Sequence, residues 1–210
     1  MKQKILDIIK KLGGNINNVK GVSLQDDLLS ITFDTVLYAD LHDDFEIWGL
    51  EEFFNNNKEL FLSDKDVFFK NMLNKYFCLT KEGLCQKFWK AELFTPFKNG
   101  TEDYKEWNDI FIDGDSDYGV NLTEIRKVTS DSNPDFVLMF ESYGFPDHYY
   151  ICLSDPCPEN PTVFGTDHEA FFREISNEGS LEGFLKKFIT KDKFLEIAIE
   201  DIKQFAQWDA

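Results

Sequence analysis

Five short apolar runs, each cut off by Asp, Asn, Gly, Ser or Pro, set the frame for this chain: NDIFI (108–112), YGVNL (118–122), FVLMFES (136–142), HYYICLS (148–154) and TVFG (162–165). Each run is too short for a stable helix, and most of the gaps are hairpin-sized. The pattern therefore predicts strands of a mostly antiparallel sheet in the second half of the chain. LLSITFDTVLY (28–38) adds an earlier strand by its loose alternation of apolar and polar residues.

Helical signals surround these runs. MKQKILDIIKKLGG reads as an amphipathic helix stopped at Gly13–Gly14. FEIWGLEEFFNNNKELF (45–61) turns helical near Gly49. Ser63 with Asp66 three residues on reads as an N-cap. After it, Val67, Phe68, Met72, Leu73, Tyr76 and Phe77 recur at spacings of three and four, one apolar stripe. Thr80 reads as the cap of a further helix through Leu84, Phe88 and Trp89. Residues 95–108, with Pro96, Asn99 and Gly100, read as a long loop. HEAFFREIS, SLEGFLKKFI and KDKFLEIAIEDIKQFAQW read as helices, with Ser180 and Thr190 as caps. Strands grouped between helices predict an α+β fold. It is expected over 1–210 as one domain, its sheet packed against N-terminal, inserted (63–94) and C-terminal helices.

Charge narrows the function. Thirty-nine Asp and Glu against 22 Lys and Arg leave a formal charge of −17. Such a surface repels nucleic acid and anionic lipid, whose protein contacts are cationic. It serves either solubility or the steering of a basic protein. No apolar run approaches the length of a membrane span. The first residues do not read as a signal peptide, and Cys78, Cys85, Cys152 and Cys157 form no CxxC pair. Reduced thiols in a cytoplasmic protein are the expectation.

Chemical motifs are few. DGDSDYGVNLTE (113–124) sets Asp113, Asp115, Asp117 and Glu124 at calcium-loop positions one, three, five and twelve. Position six wants a positive φ, however, and holds Tyr118. The apolar runs on either side favour a hairpin: strand 109–112, an Asp–Gly turn, strand 118–123. No tight calcium site is expected there. His148, Cys152 and Cys157 fit no usual zinc spacing, so neither metal nor cofactor is expected. His168 has acidic neighbours suited to a general acid or base, yet Asp167 reads as a helix cap. Ser142 lacks a nucleophile elbow, and no phosphate-cradling glycine loop is present. Three histidines without a paired catalytic motif point away from an enzyme; a hydrolase using His168 or His148 is the alternative.

The order FVLMFESYGFPDHYYICLSD, NPTVFGTDHEAFF and SLEGFLKKFI resembles the SUKH superfamily, to which many bacterial immunity proteins and the fungal glucan-synthesis regulators belong. FEIWGLEEF (45–53) is similar to that family's strand and short following helix. A Pro–aromatic–Leu…Asn–Gly opening is not visible, and the insert from about 63 to 108 lengthens the chain. The resemblance implies an α+β immunity protein that binds and neutralises a bacterial toxin. Nucleases are common among such toxins and tend to be basic, which the charge of −17 suits. The competing class is a calcium-regulated module using 113–124. For partner contact, acidic loops beside aromatics single out Asp113, Asp115, Asp117, Tyr118, Glu141, Tyr143, Phe145 and Asp147, in the loops 113–119 and 143–148. The alternative at these positions is solvated turns with core aromatics.

Overall fold

The computed structural model describes residues 1–39, 47–79, 86–112 and 119–208. Its element order is α1 (Gln3–Lys11), α2 (Leu24–Ser30), β1 (Leu37–Ala39), α3 (Leu50–Asn56), α4 (Lys58–Ser63), α5 (Lys65–Tyr76), β2 (Gln86–Phe94), α6 (Glu102–Ile112), α7 (Thr123–Arg126), β3 (Phe136–Ser142), β4 (His148–Cys152), β5 (Thr162–Thr166), β6 (Ser176–Ser180), α8 (Leu181–Leu185), β7 (Phe188–Ile189) and α9 (Lys191–Trp208). The strands form one seven-stranded sheet in the order β6-β5-β4-β3-β2-β1-β7. Every pairing within it is antiparallel, so the fold is α+β. No helix among the described residues is long and apolar enough to cross a membrane.

Three apolar clusters hold the sheet and its helices together. Val137, Met139, Ile151 and Val163 face Ile5 and Ile9 of α1, Leu28 of α2 and Leu185 of α8. The alternate residues Phe136, Tyr150 and Phe164 pack with Phe111 of α6, Ile125 of α7 and Phe172. Strand side chains point alternately to opposite faces, so the two clusters occupy opposite sides of β3–β5. A third cluster joins Tyr38 and Phe88 to α3, α5 and α9 through Phe54, Phe68 and Phe194. Burying such a phenylalanine is worth about 1.5–3 kcal/mol, so the buried Phe residues are a large part of the cohesion of the fold.

Several expectations hold locally. Ser180 accepts from the Gly183 backbone N–H and starts α8. Thr190 accepts from Lys193 N at the start of α9. Others are corrected. Residues 28–30 end α2 and do not begin a strand; β1 keeps only Leu37–Ala39. The cap of α5 is Asp64, which accepts from Val67 N, while Ser63 donates back to Glu59 O. The insert is not helical throughout 63–94, since Gln86–Phe94 is the long strand β2, paired with both β1 and β3. Thr80 and Leu84, read as parts of that helix, lie outside the described residues. Phe88, Trp89 and Phe94 are aromatics that suit a pleated surface, and tertiary pairing overrides the helical spacing.

The hairpin expected across 109–123 is also overturned on both flanks. NDIFI is the tail of α6, whose N-terminus is set by Thr101 Oγ1 accepting from Tyr104 N at 3.1 Å. Residues 119–122 run without a ladder into α7, where Asn121 Oδ1 accepts from Thr123 N at 3.1 Å. The calcium-loop pattern therefore has helices on its two sides, and flanking strands no longer weigh against it. Glu124, at its twelfth position, pairs with Lys127 at 2.5 Å. HEAFFREIS is not a helix either. It bends through Phe172, at φ +53°, into strand β6.

Candidate functional site

Antiparallel register places four side chains abreast across four strands. Phe88 of β2 pairs with Glu141 of β3, Glu141 with His148 of β4, and His148 with Thr166 of β5. Neighbouring strands are about 4.8 Å apart, so this row is a floor roughly 14 Å wide. The β3–β4 turn, 143–147, rises beside it, and Asp167–His168 follow directly after β5. Between them lies a cleft of about 350 Å³, lined by Phe88, Glu141, Ser142, Tyr143, Asp147, His148 and His168.

Asp147 is the hub of the cleft. Only 9% of it is exposed. Its Oδ1 lies 2.7 Å from His148 Nδ1 and accepts the His168 backbone N–H at 3.0 Å. Its Oδ2 is hydrogen-bonded to His168 Nδ1. One carboxylate thus ties together two histidines that are 20 residues apart. Hydrogen bonding and charge from Asp147 raise the His168 pKa above the ordinary histidine value. Asp167 stands 3.8 Å from the same ring nitrogen and is turned by the Glu169 N–H, which it accepts at 2.8 Å.

The turn that carries Asp147 is fixed from inside. Ser142 N donates to Asp147 O at 2.7 Å. The Ser142 hydroxyl lies 3.1 Å from Gly144 O and 3.0 Å from Pro146 O. It also accepts from Lys87 Nζ at 2.8 Å, and Lys87 donates to Tyr149 OH at 3.0 Å. The Ser142 hydroxyl thus braces the turn through its carbonyls. The Phe145–Pro146 peptide is cis. Pro146 packs over β5, where a Cβ on Gly165 would come within 2.7 Å of its Cγ. Glycine is thus the residue that lets the turn lie against the sheet.

Of the partner-contact residues expected from sequence, Glu141, Tyr143, Phe145 and Asp147 come together here. Glu141 pairs with Lys90 at 3.1 Å. Tyr143 is 48% exposed and meets Phe88 edge-on at 6.2 Å. Phe145 is 69% exposed. Asp113, Asp115, Asp117 and Tyr118 lie outside the described residues. His148 and His168, weighed separately in the sequence, share one carboxylate. Lys87 and Phe88 were missed as site residues, because only the β2–β3 register brings them in. His148 and Cys152 sit at opposite ends of β4, about 13 Å apart at strand rise, so they share no metal.

A carboxylate-oriented histidine can move protons, and the clustered donors can hold a cation. The exposed aromatics can enter another protein. Comparison of the chain with family models, with curated proteins and with solved structures finds no match to any of the three.

Proposed function

We propose that this is a binding protein, an immunity protein of SUKH type that captures a basic toxin at the Asp147 cleft. One observation carries the reading: Tyr143 and Phe145 stand exposed on a turn whose neighbours, Glu141 and Asp147, are acidic. Exposed aromatics grouped on one turn beside a cleft, rather than scattered singly, suit a surface that a partner covers. Aromatics bury much area for little lost side-chain freedom, and carboxylates beside them select a cationic surface. The charge of −17 brings such a partner in quickly and turns nucleic acid away. Ser142, braced by Lys87 and the turn carbonyls, is a part of the scaffold in this reading.

The test uses a toxin encoded beside this gene. Its association rate with the protein should fall as salt rises, because exposed charges are screened over about 10 Å at 0.1 M. Phe145→Ala and Tyr143→Ala should each weaken binding at least about tenfold while leaving the fold intact. If both variants fold, bind and protect cells as the parent does, the cleft is not the docking face. A salt-independent association rate would remove the steering argument.

A further inference from the structure

We infer that Asp147, Asp167 and His168 form a zinc(II) site at the wall of the cleft. The inference goes beyond the binding role and does not depend on it.

Each of the three residues offers a ligand atom, and all these atoms lie within 4.8 Å of one another. Two carboxylates and one imidazole that gives up its proton to the incoming ion carry two negative charges, which a divalent cation balances. The mixture of nitrogen and oxygen suits zinc. Calcium wants six to eight oxygens, and magnesium wants an octahedron of them; three donors that include an imidazole serve neither. Three protein ligands would also leave one tetrahedral position open, and two of the three, Asp147 and His168, line the cleft of about 350 Å³.

Acidic clusters on surfaces are common without any ion, and this one differs in how it is built. Asp147 is buried, and its Oδ1 is held from outside the cluster by His148 Nδ1 at 2.7 Å. Ligating carboxylates usually have such an outer partner. Both carboxylates are aimed by backbone N–H groups, Asp147 by His168 N and Asp167 by Glu169 N. The two segments that bring the donors are clamped by the β4–β5 ladder, where His148 pairs with Thr166 one residue before Asp167. A histidine–aspartate pair with a structural role needs neither the third donor nor the cleft beside it.

The experiment is calorimetric titration of zinc chloride into chelator-treated protein near pH 7, repeated with His168→Ala and Asp167→Asn. His168 has 66% of its side chain exposed, so its loss leaves the fold intact, which circular dichroism checks. Zinc should bind one per chain, and each variant should weaken it at least about tenfold, since even outer-partner losses cost 10–100-fold. Cobalt(II) in place of zinc should give a visible absorption band that His168→Ala abolishes. Zinc binding unchanged in both folded variants would put the ion elsewhere and overturn the assignment. So would no zinc binding to the native protein. A heat with magnesium or calcium equal to that with zinc would mark general attraction to an acidic chain, and would overturn it too.

Discussion

Strand β4 and its flanks carry two buried aspartates, one beyond each end, and they are satisfied in different ways. Asp155, after the strand, is 6% exposed and accepts the backbone N–H groups of Cys157 and Thr162, both at 2.8 Å. Asp147, before the strand, is as well buried, but its partners are two imidazoles and one N–H at an open cleft. Backbone donors stay in place and cannot titrate, so Asp155 is a permanent staple across the β4–β5 connection. Imidazoles can turn away, change protonation or take another partner. Burial alone therefore does not tell how a carboxylate is held; the kind of donor does.

The largest effect should fall on the staple. Asp155→Ala strands two backbone donors in a protected loop and should cost about 3 kcal/mol, read from the urea midpoint. Asp147→Ala leaves its donors facing the cleft, where water reaches them, and should cost about 1 kcal/mol. Equal losses would break the distinction. Next comes the packing that holds the Asp147 turn. Gly165→Ala places a Cβ 2.6 Å from Ser176 Oγ and 2.7 Å from Pro146 Cγ. It should cost about 1–3 kcal/mol and shift the His148 and His168 ring resonances, while those near Asp155 stay put. Shifts that reach both ends of β4 alike would mean that the two loops are not independent.

The smallest effect belongs to a carboxylate satisfied in a third way. Hydrogen bonds from Lys186 and Lys4 hold the Glu182 pKa down, to about 2. A depressed pKa means the group's stabilisation is fully present above the unfolded value near 4.5. It is lost as the pH falls from there toward 2. Glu182→Gln should therefore lower stability slightly at neutral pH, change it little at the acid end, and so flatten the acid limb of the stability curve. Because Lys4 is exposed and reaches across from α1 to Glu182 on α8, salt should shrink the difference.

Strands β3, β4 and β5 were legible because they are buried on both faces, which leaves nearly continuous apolar runs between Asp, Pro and Gly. Strand β2 was not. QKFWKAELF carries Lys87, Lys90 and Glu92, and it bulges between Trp89 and Glu92, with Ala91 at φ +52°, so no clean alternation survives. NDIFI mimicked a strand because the tail of α6 packs one apolar face, including Phe111, under Phe94. SNEGS has no apolar residue and is strand β6 by pairing alone. The site followed the same logic. Asp147, Glu141 and the histidines stood out singly as chemically able residues. Their meeting depends on cross-strand register, which is fixed by the turn and by the packing around it.

One pairing bears on how the molecule comes together in time. Tyr38 of β1 lies opposite Ile189 of β7, about 150 residues along the chain. On a ribosome adding about 5–20 residues per second, β1 waits roughly ten seconds or more for that neighbour. Meanwhile its outer edge shows unpaired amides, and Tyr38, Phe54 and Phe68 lack the cover of Phe194 and α9. Closure over so long a loop belongs to the slow class of folding events. The interval before α9 docks is therefore when a nascent chain is most open to capture by a chaperone or by another copy of itself.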